Sequence, residues 1–364
     1  MPASWLRFSS AKNGTLLLRE GVVKTEAPKS EYRFRGDIAL VPDKNGRISI
    51  VNLVDQDEVV AGVLPSEMFA SAPLEALKAQ AITARGELFA KIGRRHFSEP
   101  SLVCAEQHCQ VYRGVAAEDE RTNQAAFHTQ GELAFQEGKL VDSVYSACCG
   151  GHTEDASVVW DRPPSSALQG VPDVPLLIDG GAARSLEASL LFAAQKPGVI
   201  PQNLSSDQAV EKLLLAPRSS AFCGSSTFNQ KGDAWRWERV FTSAELTAAF
   251  ADLGVGDVVR MVVEDRGRGG RVRTLRVDGK TGSARVLREL PVRKRLGNLR
   301  SGLFVVDEER DASGALVSVR LRGAGFGHGS GMCQQGAIGM AEAGYDYRAI
   351  VRHYFQGAEI KKVF

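Results

Sequence analysis

The sequence predicts an α+β fold with an inserted subdomain. Three observations carry that reading. RFRGDIALV and RISIVNLV are apolar, β-branched runs separated by the turn signal Pro42-Asp43-Lys44-Asn45-Gly46. A long amphipathic helix can be drawn over residues 73–92. Farther on, DVVRMVVEDRGRGGRVRTLRVDG reads as a hairpin turning at Gly267–Gly270.

The elements follow in order. Residues 1–57 read as short strands with polar turns. Next comes an apolar run, Val59 to Leu64, expected to break at Pro65, after which stand Ser66, Glu67 and Met68. In the following helix Leu74, Leu77, Ala81, Ala84, Leu88 and Ile92 recur at three- and four-residue steps, so one stripe is expected to face a core. Ser71 can cap its start, Pro73 suits the first turn and Gly93 ends it. Glu67 therefore lies at an element junction, a common place for working residues, and Arg85 is a cationic candidate on the next helix. The plainer alternative is a surface acid and a solvated arginine.

Residues 121–133 look helical, and two strands are expected around Glu137-Gly138. Residues 162–235 are rich in proline and glycine, with helical patterns near 183–195 and 207–215, and read as the insertion. TSAELTAAFADL starts a helix with Thr242 or Ser243 as cap and Glu245 in its first turn. GLFVVDEE and ALVSVRLRG are strands joined near Asp311–Gly314. A glycine-rich segment, GAGFGHGSGMCQQGAIGMAEAG, leads to the helical YRAIVRHYFQGAEI. The expected division is an extension over 1–33, the first part of a core over 34–161, the insertion over 162–235 and the second part of the core over 236–364.

Composition sets outer bounds. The chain has 364 residues, 43% hydrophobic and 24% charged, which is ordinary for a globular protein long enough for two domains. A net charge of +2 makes no case for nucleic acid as partner. No stretch approaches the roughly 20 apolar residues of a membrane span. The start, MPASWLRFSSAKNGT, has no apolar core like that of a secretory signal, so either the protein is cytoplasmic or an export segment lies outside this chain.

Three constellations could carry chemistry. His96, Cys104, His108 and Cys109 are residue types that zinc prefers. Adjacent His108 and Cys109 on a strand would face opposite ways, so both could hold one ion only in a bend. Otherwise they are a buried cysteine and a surface histidine. Cys148-Cys149-Gly150-Gly151-His152 allows a metal knuckle, a Cys–His nucleophilic pair, a disulfide to Cys109 or Cys223, or a plain buried strand end. Gly325 to Ala337, GFGHGSGMCQQGA, lacks the ending of a phosphate loop. Its glycines either let the backbone pass close to a substrate, with His328 and Gln334 as hydrogen-bonding groups, or form a structural turn.

Taken together, VAGVLPSEMFASAPLEALKAQAITAR, CQVYRG with YSACCGGHTED, and GAGFGHGSGMCQQGAIGMAEAGYDYRAIVRHYF resemble the stage II sporulation protein D family of peptidoglycan lytic transglycosylases. The resemblance is collinear over about residues 34 to 360. It implies cleavage between N-acetylmuramic acid and N-acetylglucosamine in glycan strands, with Glu67, the glutamate of the family's P-x-E-M motif, as the catalytic acid/base. It also implies substrate-binding or positioning roles for Ser66, Arg85, His328 and Gln334, in a cleft between the Glu67 junction and the 325–337 loop. No cofactor is required for that chemistry. Some family members bind zinc just before the CQVY stretch, which implies a structural zinc on His96, Cys104, His108 and Cys109. The substrate lies outside the cytoplasm. Some homologues instead enhance a partner amidase, so a non-catalytic peptidoglycan-binding module is the second reading.

Overall fold

In the computed structural model, residues 5–11, 14–20, 30–174, 200–229 and 232–364 are described. They contain both helices and antiparallel sheets, the α+β class expected. The chain divides into two compact units, Met1–Ser143 with Glu359–Phe364, and Val144–Ala358.

The first unit opens with strands β1 (Leu6–Ser9), β2 (Leu16–Glu20), β3 (Ser30–Phe34), β4 (Asp37–Pro42) and β5 (Ile48–Leu53). β4 and β5 form the expected hairpin, with Ala39 opposite Val51, and β1 adds to the β4 edge. β2 and β3 pair separately. Three helices follow: α1 (Gln56–Glu67), α2 (Leu74–Lys91) and α3 (Glu120–His128). β6 (Glu132–Gln136) is flanked by β7 (Lys139–Leu140) and, from the chain's far end, by β16 (Glu359–Lys362).

Three local expectations are corrected. Val59 to Leu64 is helical, and α1 continues through Pro65 to Glu67. A proline near a helix end removes only one ladder donor, and the Met68 N–H, 2.9 Å from the Leu64 oxygen, closes the last turn. Asp55, whose carboxylate accepts from the Asp57 N–H, caps the start. The cap position of α2 falls on Pro73 and has no side-chain hydrogen bond, so Ser71 is not its cap. Nor is α2 a one-sided helix: every residue from Ala79 to Gly86 is buried. Small side chains, mostly alanine, let α1, α3 and β6 surround it.

The second unit holds β8 (Tyr145–Ser146), α4 (Ala156–Val159), α5 (Asp207–Leu214), α6 (Phe222–Ser225), β9 (Arg236–Thr242), α7 (Ser243–Ala249), β10 (Val258–Arg266), β11 (Val272–Gly279), β12 (Gly282–Leu287), α8 (Glu289–Arg295), β13 (Phe304–Arg310), β14 (Leu316–Ala324), β15 (Met332–Cys333), α9 (Gln334–Glu342) and α10 (Tyr347–Tyr354). Two three-stranded sheets, β10-β11-β12 and β13-β14-β9, share a core of residues such as Phe250, Met261, Leu275, Leu296, Phe304 and Leu321. Thr242 and Glu245 form a reciprocal capping box at α7, as their spacing predicts. The pattern at 207–215 is α5, capped by Ser206; the one at 183–195 lies outside the described residues.

β8 and β15 pair in parallel, with Cys333 opposite Ser146. Single bridges join Cys148 to Phe326 and Glu154 to Ser330. The glycine-rich segment is thereby laid along residues 145–154.

Candidate functional site

Glu67 is the last residue of α1 and is half-buried, between exposed Ser66 and buried Met68. It occupies the turn between two helices, so the expected junction exists with a different first element. Arg85 is placed otherwise than expected. It is wholly buried, with Nη2 and Nε 2.6 and 2.9 Å from Asp57 Oδ1. It also donates to Gln56 Oε1 and to the backbone oxygens of Ala126 and Glu132. Burial pulls its pKa below the ordinary value and the Asp57 carboxylate pulls it back. A group so enclosed does not touch substrate. This corrects the expectation of a binding arginine: Arg85 braces α1, α2, α3 and β6 and so fixes the helix whose far end carries Glu67.

His96, Cys104, His108 and Cys109 converge. Their ligand atoms all lie within 4.8 Å of one another. His96 Nε2 is 3.3 Å from Cys109 Sγ, and His108 Nδ1 is 3.8 Å from both Cys104 Sγ and Cys109 Sγ. Residues 101–109 form bends and turns, so neighbouring His108 and Cys109 can face one point, which a strand would prevent. His96 holds a left-handed φ of 56° and its Nδ1 lies 2.9 Å from Glu99 Oε2. A carboxylate on the remote ring nitrogen is the usual support of a zinc-bound imidazole. Partial desolvation, and then nearby Arg95, push the His108 pKa below its ordinary value, toward the neutral ligand form. The donor set and its spacing fit a tetrahedral zinc ion with no open position.

In the second unit the glycine-rich segment is pinned by its backbone. The Gly329 N–H donates to Ser146 Oγ, the Glu154 N–H to the Gly329 oxygen, and the Met332 N–H to the Val144 oxygen. Gly329 and Gly331 have φ of 73° and 69°. A Cβ on Gly329 would lie 1.8 Å from the Arg271 guanidinium, and one on Gly331 2.0 Å from the Val144 oxygen. Glycine is required at both for conformation and for space. The His328 ring packs against Trp160 in a tilted contact, 4.7 Å between ring centroids, and its Nδ1 accepts from the Ser330 N–H. Its ring keeps some exposure, yet the surrounding protein, with Arg271 and Arg293 near, pushes its pKa down to about 3. It is a neutral hydrogen-bonding group. Gln334 is the half-buried first residue of α9.

The Cys–His nucleophilic pair does not form. His152 is buried and its two nitrogens face the backbone oxygens of Thr153 and Gln202, at 2.7 and 3.2 Å. Cys149 turns instead to Cys223, with 3.6 Å between sulfurs, and burial holds its thiol well above the usual range. All six cysteines are free thiols.

Two residues of this network escaped sequence reasoning. Glu154 is buried and accepts three backbone N–H bonds, from Asp155, Gly269 and Arg271; burial raises its pKa to about 7. Arg271, also buried, donates to the backbone oxygens of Cys149 and His152. Glu154 follows directly on the singled-out CCGGHT and was within reach. Arg271 was not, because an arginine in a hairpin reads as solvent-facing.

Residues 44–135 match the family model described as "Stage II sporulation protein", and residues 154–331 match one described as "Domain of unknown function (DUF8618)". Among similar proteins, an uncharacterized protein of Brachyspira hyodysenteriae is 27% identical over 90% of this chain and 72% of its own length. A stage II sporulation protein D of Bacillus amyloliquefaciens is 25% identical over 97% of this chain and 89% of its own. A Bacillus subtilis protein named amidase enhancer is 28% identical over 82% of this chain, which spans 40% of that relative. No helix among the described residues is long and apolar enough to cross a membrane.

Proposed function

Since the chain carries a domain of the stage II sporulation protein family over residues 44–135, we propose that it is a peptidoglycan lytic transglycosylase of the cell envelope, acting on glycan strands outside the cytoplasm. The observation that carries this reading is the placement of Glu67, half-buried at the end of a rigidly braced helix within the matched segment. Glu67, as the acid, protonates the leaving glycosidic oxygen. As the base, it then takes the proton from the sugar's C6 hydroxyl, whose oxygen attacks C1 and closes a 1,6-anhydro ring. A hydrolase needs a second carboxylate to activate water or to form a covalent intermediate. An internal nucleophile removes that need. The acid step requires a neutral carboxyl.

Beside Glu67 in the first unit, Ser66 is a group for binding sugar hydroxyls and amides, and Arg85 is a positioning residue behind α1; in the second unit His328 and Gln334 are half-buried groups capable of the same hydrogen bonds. Zinc held by His96, Cys104, His108 and Cys109 would be a structural staple, since all four ligands come from the protein. The test is incubation of purified protein with peptide-free glycan strands and mass analysis of the products. Anhydro-ended fragments from the native chain, and a loss of at least 10²–10⁴-fold in a folded Glu67→Gln variant, are expected.

The similarity to the protein named amidase enhancer supports a second reading, a non-catalytic peptidoglycan-binding module that stimulates a cell-wall amidase. Under that reading glycan strands stay intact while amidase release of stem peptides rises when the chain is added.

A further inference from the structure

A second cluster of soft ligands lies within the second unit. Cys149, Asp173, Cys223 and Cys333 are each wholly buried, and one ligand atom from each lies within 4.8 Å of all the others. We propose that these four side chains form a closed structural site for a single thiophilic metal ion, zinc(II) first.

The geometry suits a mononuclear centre. Zinc–sulfur bonds of about 2.3 Å in a tetrahedron put the sulfurs about 3.8 Å apart. The Cys149 and Cys223 sulfurs are 3.6 Å apart, far beyond the roughly 2.05 Å of a disulfide. The ligands are held from behind. Cys333 Sγ accepts N–H bonds from Cys149, at 3.1 Å, and from Gly336, at 3.3 Å, in the first turn of the nine-residue helix α9. A helix start favours a thiolate. Asp173 accepts from the Tyr354 hydroxyl at 2.6 Å and from the Cys223 N–H at 2.7 Å, which orients its carboxylate as outer-shell bonds orient known metal ligands.

Charge is accommodated as well. Three thiolates and a carboxylate around a divalent ion leave two net negative charges in a dry interior, which needs nearby cations. Two arginines supply them: buried Arg271 donates to the Cys149 oxygen and half-buried Arg236 to the Gly150 oxygen. Full burial rules out a reactive thiol and leaves bracing as the role. The ion would tie together segments lying between residues 149 and 333 and anchor the end of the glycine-rich segment.

The test uses the full chain with the Cys104→Ser and Cys109→Ser changes, which empty the other cluster. Purified under reducing conditions, this variant should hold a full equivalent of zinc, and most of it should be lost when Cys223→Ser is added. X-ray absorption of the zinc-loaded native chain should contain a shell of three sulfurs and one oxygen, and cobalt(II) substitution should give an intense thiolate charge-transfer band. A folded Cys104→Ser/Cys109→Ser variant free of zinc would overturn the proposal. So would a shell of two sulfurs and two imidazoles alone, or a Cys149–Cys223 disulfide found by peptide mass.

Discussion

Arg85 is the residue whose environment most changes its role. Its guanidinium is closed in with Asp57, and breaking a buried pair by removing one partner costs about 3–5 kcal/mol, because the other charge stays buried alone. Arg85→Ala should lose about that much in urea unfolding; an unchanged midpoint would mean the pair is dispensable. At Gly329 and Gly331 the demand is on the backbone. Alanine at either should cost more than about 1 kcal/mol, from positive φ and from contact with the Arg271 guanidinium or the Val144 oxygen. In a unit of this size that is a fall of about 2–4 °C in Tm per kcal/mol, and calorimetry reads it. The glycines were legible in the sequence because GFGHGSGMCQQGA crowds them more densely than an ordinary surface turn requires. The inward turn of Arg85 was not, because a helix stripe does not reveal that its polar side is also covered.

Local elements were read well wherever their signals are local. The β4–β5 hairpin, the capping box at α7 and the β10–β11 hairpin all stand where turn residues and caps put them; the helix expected over YRAIVRHYFQGAEI starts as expected but ends at Tyr354, and Glu359 and Ile360 belong to β16. Proline misled at α1, where tertiary packing kept the helix going past Pro65. α10 carries a prediction of its own. His353 is buried with its ring edge against Phe222 and Tyr354, its Nε2 has no hydrogen-bond partner among the described residues, and burial lowers its pKa to about 4. The nearby Cys333 acts in the opposite direction. The unfolded chain takes up this proton near the ordinary 6.5, and the folded chain holds off until about 4. The stability tied to a neutral His353 is therefore complete above about 6.5 and lost as pH falls toward 4. His353→Phe should gain on the native chain in unfolding free energy across that window; a constant difference would contradict the burial account.

At the scale of the whole molecule, two compact units each carry part of the constellation that the sequence singled out: Glu67 with the Cys/His cluster in one, the glycine-rich segment with the buried cysteines in the other. Pairings such as Cys149 with Cys223 and Cys333 join positions 74 and 184 residues apart, a separation no local pattern encodes. The central claim is that one carboxyl group, on Glu67, cleaves glycan by way of the sugar's own C6 hydroxyl. Its most direct test is the mass of the products released from peptide-free strands by the full chain. The account predicts 1,6-anhydro ends, lighter by one water than reducing ends, and none from a folded Glu67→Gln variant. Reducing-end products, or anhydro products made equally well by the glutamine variant, would contradict it.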